Sequence, residues 1–385
     1  MGKKEIENYI LSKKEDLYRI RKELFENPEI GLEETMASEL LSNMFREEGF
    51  SVTKGIYGLK TGFRAEYAGR KAGPSIGFIC EYDALPKIGH ACGHNMIAAM
   101  SYGAACGLKS VLDETGGKIV VFGTPDEEST SGKVNFVEGH AFDSIDAVIM
   151  CHPYPESEES GATLGLGALQ FEFHGVSAHA ALPKENCRNA LDALVMSYLN
   201  INNLKQYIPE ANIYGIIDHG GDRPNVIPDY ASMKYYIRAA SKEKLQEYMD
   251  RVTNCVQNTA RASGVSVTVT EFEKRVENLV TNHTLADVFK ENYEKLTTLR
   301  LKKPAGYAAT SDIGNVSNVV PTIHSWIGIT QTGGLALHNP EFAAATMTDF
   351  AAGEMVSAAI AMAQTGYEVI SEPELLQKIK MEFKG

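Results

Sequence analysis

The chain has 385 residues, of which 44% are hydrophobic and 23% charged. This length is generous for one domain and suits two, each with an ordinary apolar core. The 37 Lys and Arg residues against 50 Asp and Glu residues give a formal net charge of -13. Nucleic acids and anionic membranes select for basic patches, so this balance argues against both as partners. An anionic small molecule stays compatible, because a few local cations suffice to bind it.

The N-terminal stretch and the cysteines indicate a location. Residues 1–6 (MGKKEI) lack the apolar core of a secretory signal. The most Ala-rich stretch, residues 350–363, contains Glu354 and is too short to span a bilayer, so we expect a core helix there. The six cysteines include no CxxC pair, which in a chain of this size favours the reducing cytoplasm.

Helices and unbroken apolar strands alternate in the first part of the chain. The spacing of apolar residues predicts a helix that ends at Asn27-Pro28 and a second helix over residues 33–48. Three strands are predicted at 75–80, 118–123 and 146–151, separated by helices around 95–108 and 132–138. This alternation indicates a parallel sheet covered by helices on both faces.

A polar cluster follows each of the three predicted strands. The clusters are residues 81–83 (EYD), residues 126–128 (DEE) and His152. Open α/β sheets place their sites at the C-terminal ends of parallel strands. We therefore expect a functional site at this edge of the sheet.

The pattern changes after about residue 165. Alternating polarity predicts strands at 169–173, 213–218, 231–240 and 265–272, with helices over 190–204 and from Ser241 to Gly264. The order β-α-β-β-α-β is that of a split βαβ domain with an antiparallel sheet. We expect this domain, residues 166–280, to be inserted between two parts of a larger domain, residues 1–165 and 281–385.

Potential metal ligands recur at these strand ends and in glycine-rich loops. Cys92 and His94 offer a thiolate and an imidazole, which suit zinc and other first-row divalent metals. Glu127 and Glu128 are adjacent in an extended segment, so one can bind metal while the other faces a substrate. Each group alone is more often structural than functional, as is a lone histidine such as His152 or His338. Their joint occurrence predicts a metal site.

Six segments make the chain resemble the aminoacylase and carboxypeptidase G family of co-catalytic metallopeptidases. They are EYDALP at 81–86, HACGHN at 90–95, GTPDEE at 123–128, HP at 152–153, HGVSAHA at 174–180 and LHNP at 337–340. The likeness is greatest to the amidohydrolase branch that includes hippurate and indole-acetyl-amino-acid hydrolases. Asn95 replaces the usual Asp of hippurate hydrolases. This residue and TSDIGNVS at 310–317 are similar to the aminobenzoyl-glutamate hydrolase and β-alanyl-lysine dipeptidase group.

The resemblance implies a fold and a set of roles. The fold is α/β, a mostly parallel central sheet flanked by helices, with an inserted split-βαβ lid and dimerisation domain. Two divalent metal ions, zinc or manganese, would be bound by five residues, with the first as the bridge: Cys92, His94, Glu128, His152 and His338.

The resemblance also implies roles for residues that do not bind metal. Glu127 would be the general base, and Asp83 would orient a ligand imidazole. His179 would stabilise the oxyanion in the site of a partner subunit, and Asn225 and Arg238 would grip the substrate carboxylate. The expected activity is hydrolysis of the amide bond of a small N-acyl or N-aroyl amino acid or dipeptide, by a homodimer.

Two other functions stay open on the sequence. A cysteine hydrolase could use Cys92 or Cys151 as its nucleophile, because the CxH spacing allows a nucleophile and base pair. That function leaves Glu128, His152 and His338 unexplained. An inactive relative could instead bind an amino-acid conjugate as a sensor or carrier, although Glu127 and all five ligands are present.

Overall fold

The chain divides into two compact units in a computed structural model that describes residues 2–179, 186–304, 306–308, 310–331 and 334–384. Unit 1 comprises Met1–Ala162 with Leu279–Gly385, and unit 2 comprises Thr163–Asn278. Unit 2 is therefore an insertion in the sequence of unit 1. Ala180, the last residue of the HGVSAHA segment, lies outside the described residues.

The helices have the following bounds in chain order. They are α1 (Gly2–Ser12), α2 (Lys14–Glu26), α3 (Thr35–Glu47), α4 (His94–Thr115), α5 (Gly132–Glu138), α6 (Ala190–Lys205), α7 (Lys242–Ala262), α8 (His283–Tyr293), α9 (Ile313–Ser317), α10 (Pro340–Ala345), α11 (Asp349–Ser371) and α12 (Pro373–Lys384).

The strands follow in the same order. They are β1 (Ser51–Ile56), β2 (Leu59–Ala68), β3 (Ser75–Cys80), β4 (Lys118–Gly123), β5 (Ala147–Tyr154), β6 (Ala162–Thr163), β7 (Gly165–His174), β8 (Ala178–His179), β9 (Asn212–His219), β10 (Val226–Ile227), β11 (Tyr230–Ala239), β12 (Ser266–Glu271), β13 (Tyr307–Ala308) and β14 (Thr322–Gly328).

Unit 1 is built on a six-stranded sheet with the order β1-β2-β4-β3-β5-β14. The strands β4, β3, β5 and β14 pair in parallel, and β1 and β2 add an antiparallel edge. Every residue of β3 is buried, as expected of a central parallel strand with both faces covered. The mostly parallel α/β fold expected from the sequence is confirmed.

Helices bury the central sheet of unit 1. The helix α4 is buried along almost its whole length and packs against α2, α1 and α11. The Ala-rich stretch forms part of α11, a core helix of 23 residues, as predicted. Small side chains let α4 and α11 approach closely, and a Cβ at Gly103 would lie 3.0 Å from the Cβ of Ala359. Within the described ranges, no helix has the length and apolarity that crossing a membrane requires.

Unit 2 has a four-stranded antiparallel sheet with the order β12-β7-β11-β9. The central pair is long and regular, from Tyr230 opposite His174 to Ala239 opposite Gly165. One face of β11 carries Met233, Tyr235 and Ile237, which are buried in the same apolar cluster as residues of α6 and α7. Strands of alternating polarity thus fold as a sheet with one face covered by two helices, which is the split βαβ order predicted.

Candidate metal centre

The loop before α4 carries Cys92 and His94. Gly93 lies between them with a φ of 84°, a left-handed conformation that glycine adopts without strain. A Cβ at this position would also lie 2.3 Å from the Cγ of Pro153. Gly93 therefore lets the loop approach the end of β5 closely, where His152 precedes Pro153.

His94 is fully buried, and Asp83 fixes its ring. The Nδ1 atom of His94 lies 2.9 Å from the Oδ1 atom of Asp83 and 2.9 Å from its carbonyl oxygen. Nδ1 therefore donates to Asp83, which leaves Nε2 as the atom that can bind a metal. The other carboxylate oxygen of Asp83 accepts the backbone N–H of Glu128 at 3.1 Å. One side chain thus holds two candidate ligands.

His152 lies beside Cys92 from the end of β5. Its Nδ1 atom donates to the carbonyl oxygen of Pro153 at 2.8 Å, and its Nε2 atom lies 3.5 Å from the Sγ atom of Cys92. Burial lowers the pKa of His152 to about 3, so the imidazole is neutral at neutral pH. Neutral imidazole is the form that binds a metal.

His338 approaches the same cluster from the loop before α10. Its backbone has a φ of 63°, which costs conformational energy in a histidine. Its backbone N–H donates to the carbonyl oxygen of Ala91 at 2.9 Å, and its Nε2 atom lies 3.6 Å from the Oε1 atom of Glu128. The strained residue is therefore tied to the loop that carries Cys92.

These side chains converge on one region. Three overlapping groups each place their ligand atoms within 4.8 Å of one another: Cys92, His94 and His152; Cys92, Glu128 and His338; and His94, Glu127 and Glu128. The structure thus brings together all five predicted ligands and the predicted base.

The donor set fits divalent metal ions. Among the described residues, the buried Nε2 of His94 and the buried Oε1 of Glu128 have no hydrogen-bond partner. Buried polar atoms are rarely left in this state, and a cation would satisfy both. Burial also raises the pKa of the Cys92 thiol well above its usual value, so a thiolate here requires a bound cation.

The carboxyl group of Glu127 is close to other acidic side chains. Burial raises the pKa of its carboxyl group well above the usual range, and the charges of Asp312 and Glu81 raise it further. The ammonium group of Lys133 acts in the opposite direction. No role for Lys133, Asp312 or Glu81 was predicted from the sequence.

The sequence gives only weak signals that Lys133, Asp312 and Glu81 have a functional role. Glu81 lies in the EYDALP segment and Asp312 in TSDIGNVS, but neither segment indicates a role for its acid. Lys133 is one polar residue near the start of a predicted helix, where a solvated lysine is the usual case. In the structure it is 0% exposed.

The buried carboxyl group of Glu34 holds the turn before Glu127. Asp126 adopts a φ of 61°, and its backbone N–H donates to the Oε1 atom of Glu34 at 2.9 Å. The other oxygen of Glu34 accepts the hydroxyl of Thr61 at 2.8 Å. A Cβ at Gly31 would overlap the carboxylate of Asp126, so a larger residue at this position would displace that side chain. Burial raises the pKa of Glu34 to about 7.

Three predicted residues belong to unit 2. His179 is exposed at the end of β8, and it pairs with Val226 of β10. Asn225 is exposed directly before β10, so the backbone of unit 2 brings it close to His179. Arg238 is half-buried on β11, opposite Asn212 of β9 and Leu166 of β7.

Known proteins match this chain over most of its length. Residues 78–363 match peptidase family M20/M25/M40. The Xaa-Arg dipeptidase of Mus musculus is 35% identical, over 96% of this chain and 89% of its own length. A p-aminobenzoyl-glutamate hydrolase chain of Escherichia coli (strain K12) is 31% identical, over 69% of this chain and 59% of its own length.

A solved structure has the same fold. It is a Bacillus subtilis protein described as a dinuclear metal-binding peptidase of the M20 family. Its TM-score is 0.66, with 20% sequence identity, and the alignment covers 92% of this chain and 99% of that one.

These matches define the class of the protein, which is an enzyme and, more narrowly, a hydrolase. The chain belongs to peptidase family M20/M25/M40, in its amidohydrolase branch. The resemblance drawn from the six sequence segments is thereby confirmed.

Proposed function

We propose that the enzyme hydrolyses the amide bond of a small N-acyl or N-aroyl amino acid or dipeptide that bears a free carboxylate. The observation that carries the proposal is the convergence of five potential ligands and Glu127, whose ligand atoms form three overlapping groups within 4.8 Å. The relatives named as a dipeptidase and as an aminobenzoyl-glutamate hydrolase support the same substrate class.

Five side chains would hold two divalent ions: Cys92, His94, Glu128, His152 and His338. When bound, the ions would acidify a water molecule and polarise the scissile carbonyl group. Asp83 keeps the ring of His94 turned so that Nε2 faces the site. A set of thiolate, imidazole and carboxylate donors accepts zinc or manganese, and we propose one of these as the native metal.

Glu127 would take a proton from the attacking water and deliver it to the leaving nitrogen. Its location supports this role, because it adjoins Glu128 and its carboxylate lies within 4.8 Å of ligand atoms of His94 and Glu128. The raised pKa that burial gives this carboxyl group favours uptake of a proton. The protonated acid can then donate to the departing amine.

The polar side chains of unit 2 would bind the substrate. We propose that His179 donates a hydrogen bond to the oxyanion, and that Asn225 and Arg238 bind the substrate carboxylate. The adjacency of His179 and Val226 on paired strands supports a shared role for the first two. The choice of Arg238 rests on chemistry, because a guanidinium group binds a carboxylate through two parallel hydrogen bonds.

Chelation separates this proposal from a cysteine hydrolase. The distance of 3.5 Å between Cys92 and His152 is the feature that favours a thiol enzyme. Burial, however, raises the pKa of Cys92 and lowers that of His152, which makes a poor nucleophile and a poor base. We expect a chelator to abolish hydrolysis of a panel of N-acyl, N-aroyl and β-alanyl amino acids.

The restoration step completes this test. Added Zn²⁺ or Mn²⁺ should restore hydrolysis after the chelator is removed. Activity that survives complete removal of metal, verified by elemental analysis, would instead assign the reaction to Cys92.

We propose that the enzyme is a homodimer joined through unit 2. The strand β9 is at the edge of its sheet, and an edge strand offers its backbone to a strand of a second copy. Its side chains are apolar for an exposed edge: Tyr214 is 67% exposed, Ile216 62% and Ile217 46%. Antiparallel pairing of two copies of β9 would cover them.

Complementation tests whether a dimer shares its sites. A Glu127→Gln protein and a His179→Ala protein, each inactive alone, are mixed under conditions that allow subunit exchange. If His179 serves the site of the partner subunit, each mixed dimer regains one site with an intact Glu127 and an intact His179. Exchange without return of activity would place His179 in the site of its own chain or outside any site.

We also propose a cytoplasmic location. Four buried cysteines of the described residues, Cys80, Cys92, Cys106 and Cys151, are free thiols, which suits a reducing compartment. A fusion of the full chain to a fluorescent protein, followed by cell fractionation, tests this location directly.

A further inference from the structure

Lys133 carries a buried charge behind the candidate metal centre. It is 0% exposed at the start of α5, and its Nζ atom lies 2.5 Å from the Oε1 atom of Glu81 and 2.5 Å from the Oδ1 atom of Asp312. Asp312 also accepts the backbone N–H of Lys133 through its Oδ2 atom at 2.8 Å. Burying an ammonium group is costly unless it is paired in this manner. Asp312 therefore fixes both the backbone and the charged end of Lys133.

Glu81 lies between Lys133 and His94. Its Oε1 atom is bound to Lys133, and its Oε2 atom lies 3.3 Å from the Nε2 atom of His94. That nitrogen is the one left for a metal, because Nδ1 of His94 faces Asp83. Glu81 is 1% exposed, and within the described part of the chain neither of its carboxylate oxygens has a hydrogen-bond partner, although Oε1 lies in the ion pair with Lys133. A carboxylate in this place is a competent metal ligand.

We propose that Lys133, fixed by Asp312, holds the carboxylate of Glu81 back from the metal ions and so limits how tightly the centre binds them. This inference rests on the proposed metal site. Lys133 is a positioning residue in this account, since it acts on the centre through Glu81. The centre keeps the five proposed ligands, and Glu81 contributes its charge from beside the Nε2 atom of His94 without binding an ion.

The proposed role of Lys133 predicts a change in metal affinity that is opposite to the change expected from a purely structural role. Removal of Lys133 together with Asp312 takes away one positive and one negative charge, so the net charge near the centre is unchanged. The one group released is Glu81, which can then turn towards the ions. Metal affinity should therefore rise, whereas loss of a structural support lowers it.

The experiment measures metal affinity in a double variant, Lys133→Met with Asp312→Asn. The double variant removes both members of the ion pair between Lys133 and Asp312, so neither of these two charges is left buried alone. The dissociation constants of Zn²⁺ and Mn²⁺ are measured for the metal-free full-length protein by competition with a chromophoric chelator. We expect them to fall about tenfold relative to the wild type, within the range by which groups behind a ligand alter metal affinity.

A third substitution identifies Glu81 as the cause. When Glu81→Gln is added to the double variant, the gain in affinity should disappear. Lys60→Met, a change at an exposed lysine of β2, is the matched control and should leave affinity unchanged. In the Co²⁺-loaded double variant, the visible absorption bands should weaken if Glu81 joins the donor set, because they lose intensity as the coordination number rises.

The outcomes separate this inference from the proposed function. A wild-type protein that binds no divalent metal refutes the proposed function itself. A wild-type protein that binds metal, with equal or weaker affinity in the double variant, refutes only the role of Lys133. If the double variant does not fold, the single variant Lys133→Gln decides. Its amide can still donate to Asp312 while Glu81 loses its ion pair, so affinity should rise, and equal or weaker affinity contradicts the proposal.

Discussion

The two units differ in what they bury. Unit 1 buries a set of ionisable side chains around the candidate centre: Glu34, Glu81, Asp83, His94, Asp126, Lys133, His152, Asp312 and His324. In the described part of unit 2, the buried polar side chains are all neutral: Thr163, Ser197, Ser232, Thr259 and Asn278. Buried charge is costly, so its concentration in unit 1 indicates chemistry, whereas the core of unit 2 serves stability.

The proposed functional residues of the two units also differ in burial. His94 and His152 are buried and held by named partners, so their orientation is fixed before any ligand arrives. His179 and Asn225 are exposed at the ends of short strands. Substitutions in unit 1 should therefore alter chemistry and metal binding, and substitutions in unit 2 should alter stability or substrate affinity.

The largest expected effect concerns the proposed base in unit 1. Glu127→Gln should lower kcat by about 10²–10⁴, because a general acid-base group is lost. Metal content, measured by elemental analysis, should stay at the wild-type value, since Glu127 is not among the proposed ligands. Glu138→Gln, at an exposed position of α5, is the control and should be active. Near wild-type turnover of the Glu127 variant would contradict its role.

The second effect concerns the core of unit 2. Phe171 is 0% exposed on β7, and Phe171→Ala should lower the free energy of unfolding by about 3–5 kcal/mol, as measured with urea. The metal content of the folded protein should not change. The matched change in unit 1 is Phe63→Ala, because Phe63 stacks on Tyr82 with ring centroids 5.8 Å apart. Tyr82 lies between Glu81 and Asp83, so this variant should lose metal as well.

An equal loss of metal in both variants would contradict the proposed difference between the two units. If Phe171→Ala lowered metal content as much as Phe63→Ala does, the centre of unit 1 would depend on the core of unit 2. Both variants must first be shown to be folded by circular dichroism at the temperature of the metal measurement.

The central strands of the fold were predictable because their sequences are continuously apolar. The strands β3 and β4 have the bounds that the sequence predicts. The strands β1 and β2 were missed, since β1 alternates between exposed and half-buried residues and contains Gly55 and Lys54. The strand β14 was missed as well, because it carries His324 and Ser325 in a buried run. Tertiary contacts decide such segments.

The candidate site was predictable where side chains occur in recognisable segments. Cys92, His94 and Glu128 fall in the segments that carry the resemblance. Lys133 was not predictable, because nothing local distinguishes it from a solvated lysine. Its role depends on Glu81 and Asp312, which are 52 or more residues away in the sequence and meet it only in the folded chain.

The third prediction is a pH-dependent stability in unit 1. Burial raises the pKa of Glu34 from its ordinary value of 4.5 to about 7, so the folded state favours the protonated acid. Its contribution to stability is therefore complete below pH 4.5 and is lost as the pH rises through 7. Glu34→Gln cannot ionise and should escape this loss, which is on the order of 2 kcal/mol.

Urea unfolding at pH 5 and at pH 8 measures this effect. The stability of Glu34→Gln relative to the wild type should increase between the two values. Glu33→Gln, at the exposed neighbouring position, is the control and should show the wild-type pH dependence. Parallel pH profiles for the Glu34 variant and the wild type would show that Glu34 does not titrate in this range.

The smallest effect compares two helix caps of the same kind. The side chain of Asn339 accepts the backbone N–H of Phe342 at 2.9 Å and caps α10 in unit 1. The side chain of Ser241 accepts the backbone N–H of Lys244 at 3.3 Å and caps α7 in unit 2. Substitution of either cap by alanine should lower the free energy of unfolding by about 1 kcal/mol.

Only one of the two variants should alter metal binding. His338 directly precedes Asn339 and has a positive φ, so its orientation depends on its hydrogen bond to Ala91 and on the first turn of α10. Loss of the Asn339 cap loosens that turn, and the dissociation constant of Zn²⁺ should rise about tenfold, the lower end of what supporting residues contribute. Ser241→Ala should leave it unchanged. Equal metal affinities in the two variants would mean that the hydrogen bond to Ala91 alone orients His338.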